Sequence, residues 1–260
     1  MAISFPTSLD NFSNPASTDS LNTPSHSLQH TDLNDAVEAM QRKVGIGTAV
    51  ATSASAGQVL TISAAGTSTW STPTVPALVQ IVPTSVTVAG VGSSGSVSAT
   101  GAVTFGTATS ISIANTFSSD YENYRIVINI TGVSTQMDVL MRLSNNGTDN
   151  SGAVYSRGGV FNYINSTPTA LASVGDTKWQ LGFVNSGTGS KNAFSIDMYR
   201  PNVVAETTAS SLGVWNNNVT FAGFFVGYLH DSTASFNGFT VYPNTGTINS
   251  GTIRIYGYRS

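Results

Sequence analysis

From Tyr121 onward the chain repeats one unit, a short β-branched or aromatic run followed by a cluster of turn residues, and this repetition dictates the fold class. The runs are YRIVINI, MDVLMRLS, GGVFNYI, KWQLGFV, AFSIDMYR, LGVW, TFAGFFVGYL, GFTVY and TIRIYGY. Between them lie NNGT, NSTP, NSGTG, NNN and PNTG. Val, Ile, Tyr and Phe suit a pleated, half-buried surface, whereas Gly and Asn tolerate positive φ and Pro fixes φ for a turn. Upstream, SVTVAG, GSVSAT, AVTFG and SISIA alternate small polar with apolar residues at period two. Ser85 to Ala114 therefore also reads as mostly strand. Strands at this spacing over this length predict a mainly β protein, a sandwich or barrel with one core; the expected form is an antiparallel, jelly-roll-like β-sandwich over residues 85–260.

Composition narrows what such a sandwich can do. Only 9% of the 260 residues are charged, the net charge is -3, and there is no cysteine. A typical soluble domain carries about 25% charged residues; here Ser, Thr, Asn and Gly wet the surface instead. Without a Lys/Arg run the chain lacks the footprint of a nucleic-acid binder, whose affinity rests on neutralising phosphates. Without cysteine there is no disulfide, no thiolate zinc site and no thiol nucleophile. No apolar run approaches the roughly eighteen residues of a membrane span, and MAISFPTSLDNFSN lacks the pattern of a signal peptide. The expectation is a chain with no nucleic-acid partner, no membrane insertion and no cofactor.

Charge is distributed unevenly. Between Lys43 and Asp120 there is no Asp, Glu, Lys, Arg or His. This divides the chain into an extended arm (1–30), a short helix (31–45), a neutral Ser/Thr/Gly-rich shaft or linker (46–84) and the distal sandwich (85–260). The helix is predicted from LQHTDLNDAVEAMQRKVGIG: Thr31 or Asp32 caps it, Asp35 and Glu38 suit its positive end, Arg42 and Lys43 its negative end, and Gly45 stops it. Leu33, Val37, Met40 and Val44 form one apolar stripe. About twelve residues of helix are marginal alone in water. The stripe must therefore be covered, either by the chain's own β-domain or by self-association or a partner. If anything, the stripe's own pattern leans towards two strands, and fewer than two heptads fix no oligomer number.

The arm, with Pro6, Pro15 and Pro24 and the isolated anchors Phe5, Leu9, Phe12 and Leu21, cannot build a core of its own. Its pattern of Leu9, Asp10, Asn14, Pro15, Asp19, Ser20 and Leu21, followed by His30, Leu33, Asn34, Ala36, Val37, Gln41 and Val44 to Ile46, resembles the leader of bacteriophage virion appendage proteins, the tail and head fibres. GQVLTISAAGTSTW (Gly57 to Trp70) is similar to an element of phage fibre shafts. FSSDYENYRIVINI (Phe117 to Ile130), RLSNNGT (Arg142 to Thr148), Tyr155 and SGTIRIYGYR (Ser250 to Arg259) resemble a distal fibre domain. The order of leader, shaft and distal domain is more specific than any one match. The resemblance implies a homotrimer located in the virion. It implies that Phe5, Leu9, Asp10, Phe12, Asn14, Pro15 and Leu21 dock on a tail or capsid protein, and that the Leu33, Val37, Met40, Val44 stripe joins the copies.

Motif-borne chemistry is missing: the sequence has no GxxxxGK[ST], HExxH, GxSxG or EF-hand pattern. His26 and His30 are four apart, but Pro24 and a cap at Thr31 would place them in non-helical backbone without further ligands, so no metal is expected. His230 and Asp231 should end a strand, with no nucleophile placed beside them. Asp120 and Glu122 could flank a glycosidic bond, which keeps a polysaccharide-degrading appendage as an alternative; solvated turn carboxylates are the plainer account. The expectation is a structural protein rather than an enzyme. For binding, Trp215 beside Asn216, Asn217 and Asn218 is the best candidate host-glycan contact, with ring stacking and amide hydrogen bonds. The competing reading of any strand aromatic is core. A capsid decoration protein without receptor role is the remaining alternative.

Overall fold

The structure, a computed structural model, describes residues 17, 30–31, 33–35, 37–38, 40–41, 54–62, 67–73, 77–164, 166–186, 191–216 and 221–259. The proposed docking residues Phe5, Leu9, Asp10, Phe12, Asn14, Pro15 and Leu21 lie outside these, as do Val44, Asn217 and Asn218. The chain divides into two compact units, Met1–Val75 and Pro76–Ser260.

In the first unit the described residues 30–31, 33–35, 37–38 and 40–41 are helical. His30 and Thr31 are already helical, so Thr31 is not the cap, because a cap residue has non-helical backbone. Leu33 and Met40, two turns apart on one stripe, are 60% and 63% exposed, whereas Gln41 is 7% exposed. Val37 is half-buried. Of the predicted apolar stripe, Leu33 and Met40 thus face outward and Val37 does so in part, while the polar Gln41 is buried. The unit also holds a hairpin of β1 (Val59–Ile62) and β2 (Ser68–Ser71), with Leu60 opposite Trp70. It falls within the fibre-shaft resemblance. Val59, Leu60 and Ile62 are all exposed.

The second unit is an antiparallel sandwich. The strands are β3 (Leu78–Ile81), β4 (Ser85–Ala89), β5 (Ser94–Val97), β6 (Val103–Gly106), β7 (Ser110–Ala114), β8 (Asn123–Val133), β9 (Met137–Asn145), β10 (Thr148–Asp149), β11 (Tyr155–Tyr163), β12 (Thr169–Asp176), β13 (Trp179–Val184), β14 (Lys191–Tyr199), β15 (Thr207–Asn216), β16 (Phe221–His230), β17 (Gly238–Pro243) and β18 (Ile248–Tyr258). A six-stranded sheet runs β10-β9-β17-β7-β4, with β13 also on β9. A ten-stranded sheet runs β12-β11-β16-β15-β14-β8-β18-β6-β5, with β3 also on β18. β3 comes from the stretch read as shaft, yet it pairs with the last strand of the sandwich. Its signal was short: LVQI is four residues flanked by Pro76 and Pro83.

Burial follows the period-two pattern that the sequence carries. Along β8, Tyr124, Ile126, Ile128 and Ile130 have no exposed surface, while Arg125 and Val127 between them point outward and are half-exposed. The inner faces of both sheets share one core. Phe194 of β14 shows how tightly the sheets approach. A Cβ on Gly213, its cross-strand neighbour, would stand 2.7 Å from the ring, and a Cβ on Gly182 of the opposite sheet would stand 2.8 Å from it. Both glycines are there because the ring fills the space a side chain would take.

Gly213→Ala should overpack this contact and destabilise the unit by about 1–3 kcal/mol. Urea unfolding would show a lower midpoint at unchanged slope; an unchanged midpoint would contradict the packing described.

Candidate functional site

Trp215, the sequence's best stacking candidate, lies at the inner face of β15 and is 4% exposed. Its ring packs edge-on against Tyr163 and Phe183, with centroids 5.7 and 5.5 Å away. Phe183 in turn meets Phe224 at 4.9 Å. The ring faces are consumed by an aromatic cluster, so Trp215 belongs to the core and not to an exposed turn. The reason is parity: Trp215 shares the face of Ala209 and Ser211, which are also buried. Asn216 is half-buried at the strand's end. Tyr228 is likewise buried, donating to the Gln180 carbonyl at 3.1 Å.

Asp120 and Glu122 do not face each other across a cleft. Asp120 accepts from the Ser118 hydroxyl at 3.0 Å within the turn before β8. Glu122 pairs with Arg200 at 3.3 Å, on exposed surface. Each carboxylate is accounted for by local structure.

His230 ends β16, as expected, but it is wholly buried. Its ring meets Tyr155 edge-on at 4.5 Å and Phe236 at 4.8 Å. Neither ring nitrogen has a hydrogen-bond partner in the protein. Burial pushes its pKa below the ordinary imidazole value; the residue's own backbone and, less strongly, the carboxylate of Asp231 only partly oppose this. The neighbouring Tyr155 hydroxyl donates to the Asn150 carbonyl at 2.8 Å and accepts from the Leu143 amide at 3.0 Å. This cluster joins the two sheets and offers no open face to a substrate.

The feature that offers one was missed in the sequence. On the outer face of the smaller sheet a depression of about 370 Å³ is lined by Ser85, Thr87, Ser112, Ala114, Asn115, Asn146 and Gly147. The β4–β7 register sets Thr87 opposite Ser112 and Ser85 opposite Ala114, which brings the three hydroxyl groups together. Asn146 and Gly147, at φ 51° and 78°, make the two-residue turn between β9 and β10, the geometry that Asn-Gly favours. Asn115 also has positive φ, 55°. Asn237 ties the rim together: its Nδ2 donates to Asn115 Oδ1 at 3.0 Å and to Asn146 Oδ1 at 2.7 Å, and its Oδ1 accepts from the Asn146 amide at 2.8 Å. The lining presents hydroxyl and amide groups with no charge, a chemistry suited to a neutral polyhydroxy ligand. The only legible signal was the Asn-Gly turn. The other residues converge through pairings of strands distant in sequence.

Among the described residues no group of three or more His, Asp or Glu could hold a metal ion. No helix among them is long and apolar enough to cross a membrane. No protein-family model, curated protein or solved structure matches the chain.

The buried His230 generates a pH dependence. Because its pKa is lowered by folding, the unfolded chain takes up the proton first, so stability present above about pH 6.5 is lost as pH falls below it, by up to about 1.4 kcal/mol per pH unit. The carboxyls of Asp176 and Asp197 are held below their ordinary range and titrate at lower pH. Thermal or urea unfolding from pH 7 downward should show this slope, and His230→Phe should flatten it. Equal slopes in the two proteins would contradict the assignment.

Proposed function

We propose that this chain is a structural component of a bacteriophage particle, a fibre whose N-terminal arm docks on the virion and whose β-sandwich is displayed outward. The observation that carries the reading is the exposure of two large apolar residues of the helix stripe. Leu33 and Met40 stand well exposed in a segment that begins the chain's only predicted helix, and such a short helix is not expected to persist in water without a partner. Val59, Leu60 and Ile62 in the hairpin of the same unit are exposed as well. Self-association into a homotrimer, implied by the fibre resemblance, would bury both. The division into an N-terminal unit and a sandwich parallels the leader, shaft and distal order of that resemblance.

The role is structural rather than catalytic, in keeping with the local engagement of Asp120 and Glu122 in a turn and an ion pair. Where the distal unit contacts a host glycan, the uncharged depression around Ser112 and Asn146 suits the task better than buried Trp215.

Two measurements test this. Val37→Ser with Met40→Ser should abolish incorporation of the chain into particles, because the stripe is lost; antibody labelling of purified particles reads the outcome, and its position separates tail from head. Normal incorporation, or the wild-type chain's absence from particles, would contradict the reading. Ser85→Val with Ser112→Val should weaken retention on host cells about thirtyfold, taking about 1 kcal/mol for each of two lost hydrogen bonds. Unchanged retention would rule out the depression as the glycan contact.

A further inference from the structure

We infer that the connection 231–237, which carries the chain from β16 of the larger sheet to β17 of the smaller, is a latch that acid opens, and that its opening frees the rim of the hydroxyl-lined depression. One end of the connection follows the buried His230; the other is Asn237, which ties the rim. His230 has no exposed surface, and both its ring nitrogens lack a hydrogen-bond partner in the protein. So does the hydroxyl of buried Thr207, which stands opposite it on β15. Three rings meet the imidazole: Tyr155 of β11 at 4.5 Å, Trp179 of β13 at 6.5 Å and Phe236 of the connection at 4.8 Å. A proton added here makes a cation with two donors and no acceptor within reach, and a buried, unpaired charge is costly. Tyr155 and Trp179 are held in strands, whereas Phe236 sits on irregular backbone. Displacing Phe236 is therefore the least disruptive way to wet the charged ring.

The charges around the ring favour opening over charging in place. On β11, burial keeps the Tyr155 hydroxyl neutral by raising its pKa. Asp176 of β12 stands opposite Tyr155 but is paired with Lys178 at 2.6 Å. Tyr228, on the same face of β16, is pushed up to about 12 by burial. Glu206, beside Thr207, is exposed, and Arg200, ahead of Pro201, is paired with Glu122 at 3.3 Å. Asp231 is the carboxylate that favours the imidazolium, and it is the first residue of the connection and exposed. When the connection lifts, the charged ring gains water and Asp231 together. Burial lowers the pKa of His230 in the closed state, so the open state takes up the proton first. Closure is thus favoured above about pH 6.5, and below it the open population rises by up to about tenfold per pH unit.

The backbone carries the opening to the rim. The connection is pinned near its ends: the Asp231 amide donates to the Val154 carbonyl at 2.8 Å, the Phe236 amide to Pro201 at 2.7 Å and the Asn237 amide to Ser144 at 3.2 Å. A segment so sparsely bonded can open without the strands around it. Asn237, next to Phe236, holds the rim by both its backbone and its side chain. Its carbonyl accepts from the Thr116 and Phe117 amides at 2.8 and 3.2 Å, and its side-chain amide joins Asn115 to Asn146. Asn115 and Asn146 both stand at positive φ, so they lose a common tie when Asn237 follows Phe236. Protonation of a buried histidine acts as a switch in this way when it biases an element with two states. Where a glycan fills the depression its retention falls with pH; that consequence alone rests on the reading above.

Amide hydrogen exchange of the full chain between pH 7 and pH 5, expressed as protection relative to an unstructured peptide at each pH, tests the latch. Protection at Phe236, Asn237, Thr116 and Asn146 should fall together below about pH 6.5, by up to about tenfold per unit, while the amides of β8 keep theirs. His230→Phe should abolish the fall, and His230→Gln serves as a second neutral variant should the first not fold. Constant protection at Phe236 and Asn237, a fall shared equally by β8, or a fall that persists in a folded neutral variant would overturn the latch. Loss at Phe236 with Thr116 and Asn146 unchanged would overturn its link to the depression. No ligand enters the measurement, so these outcomes are read separately from whether a glycan binds.

Discussion

The sandwich depends on the register of β8 between β14 and β18. β8 is paired along most of its length on both sides, and its inward row of Tyr124, Ile126, Ile128 and Ile130 lies at the centre of the core with no exposed surface. On its other face Arg125 donates to both carboxylate oxygens of Asp197 on β14, at 2.8 and 2.7 Å, and the Tyr258 hydroxyl on β18 donates to the same carboxylate at 2.6 Å. A half-exposed ion pair of this kind adds little stability, on the order of 1 kcal/mol or less. Its value is in register: a slip by one residue would turn Arg125 into the core and the isoleucines into water. With β8 fixed, β14 aligns Phe194 with Gly213 and Gly182, and the two sheets close to the distance that a ring, but no extra methyl group, can fill.

Much of this was legible in the sequence because burial on one face imposes period two. Each run from YRIVINI to TIRIYGY holds a strand, apart from a residue at some ends, and Ser85 to Ala114 resolves into four more. What was not legible has physical reasons. β12, Thr169–Asp176, is an edge strand with mostly exposed side chains, so no apolar alternation announces it. β3 is four residues between prolines and gains its place only through β18. Trp215 shows the limit of local reasoning: its neighbours NNN suggested an exposed turn, whereas strand parity buried it. The hydroxyl-lined depression required knowing that β4 lies beside β7 and that Asn237 reaches Asn115 and Asn146. No pattern in one strand contains that information.

The surfaces of the two units share one property. In each, large apolar groups stand where a lone chain has nothing to cover them: Leu33 and Met40 on the helix, Val160, Phe225 and Leu212 on the sheet. A chain with 9% charged residues has few ions to keep such patches apart from one another. Hydroxyl and amide groups keep the remaining surface wet while allowing close approach. Under the proposed reading, the protomer is completed by its own copies, with the sandwich supplying a sparsely charged exterior and the N-terminal segment supplying attachment.

Native mass measurement of the intact chain at micromolar concentration tests that picture most directly. The account predicts a multiple of the 27.0 kDa protomer, three copies by the fibre resemblance. A single 27.0 kDa species persisting across the concentration range would contradict it.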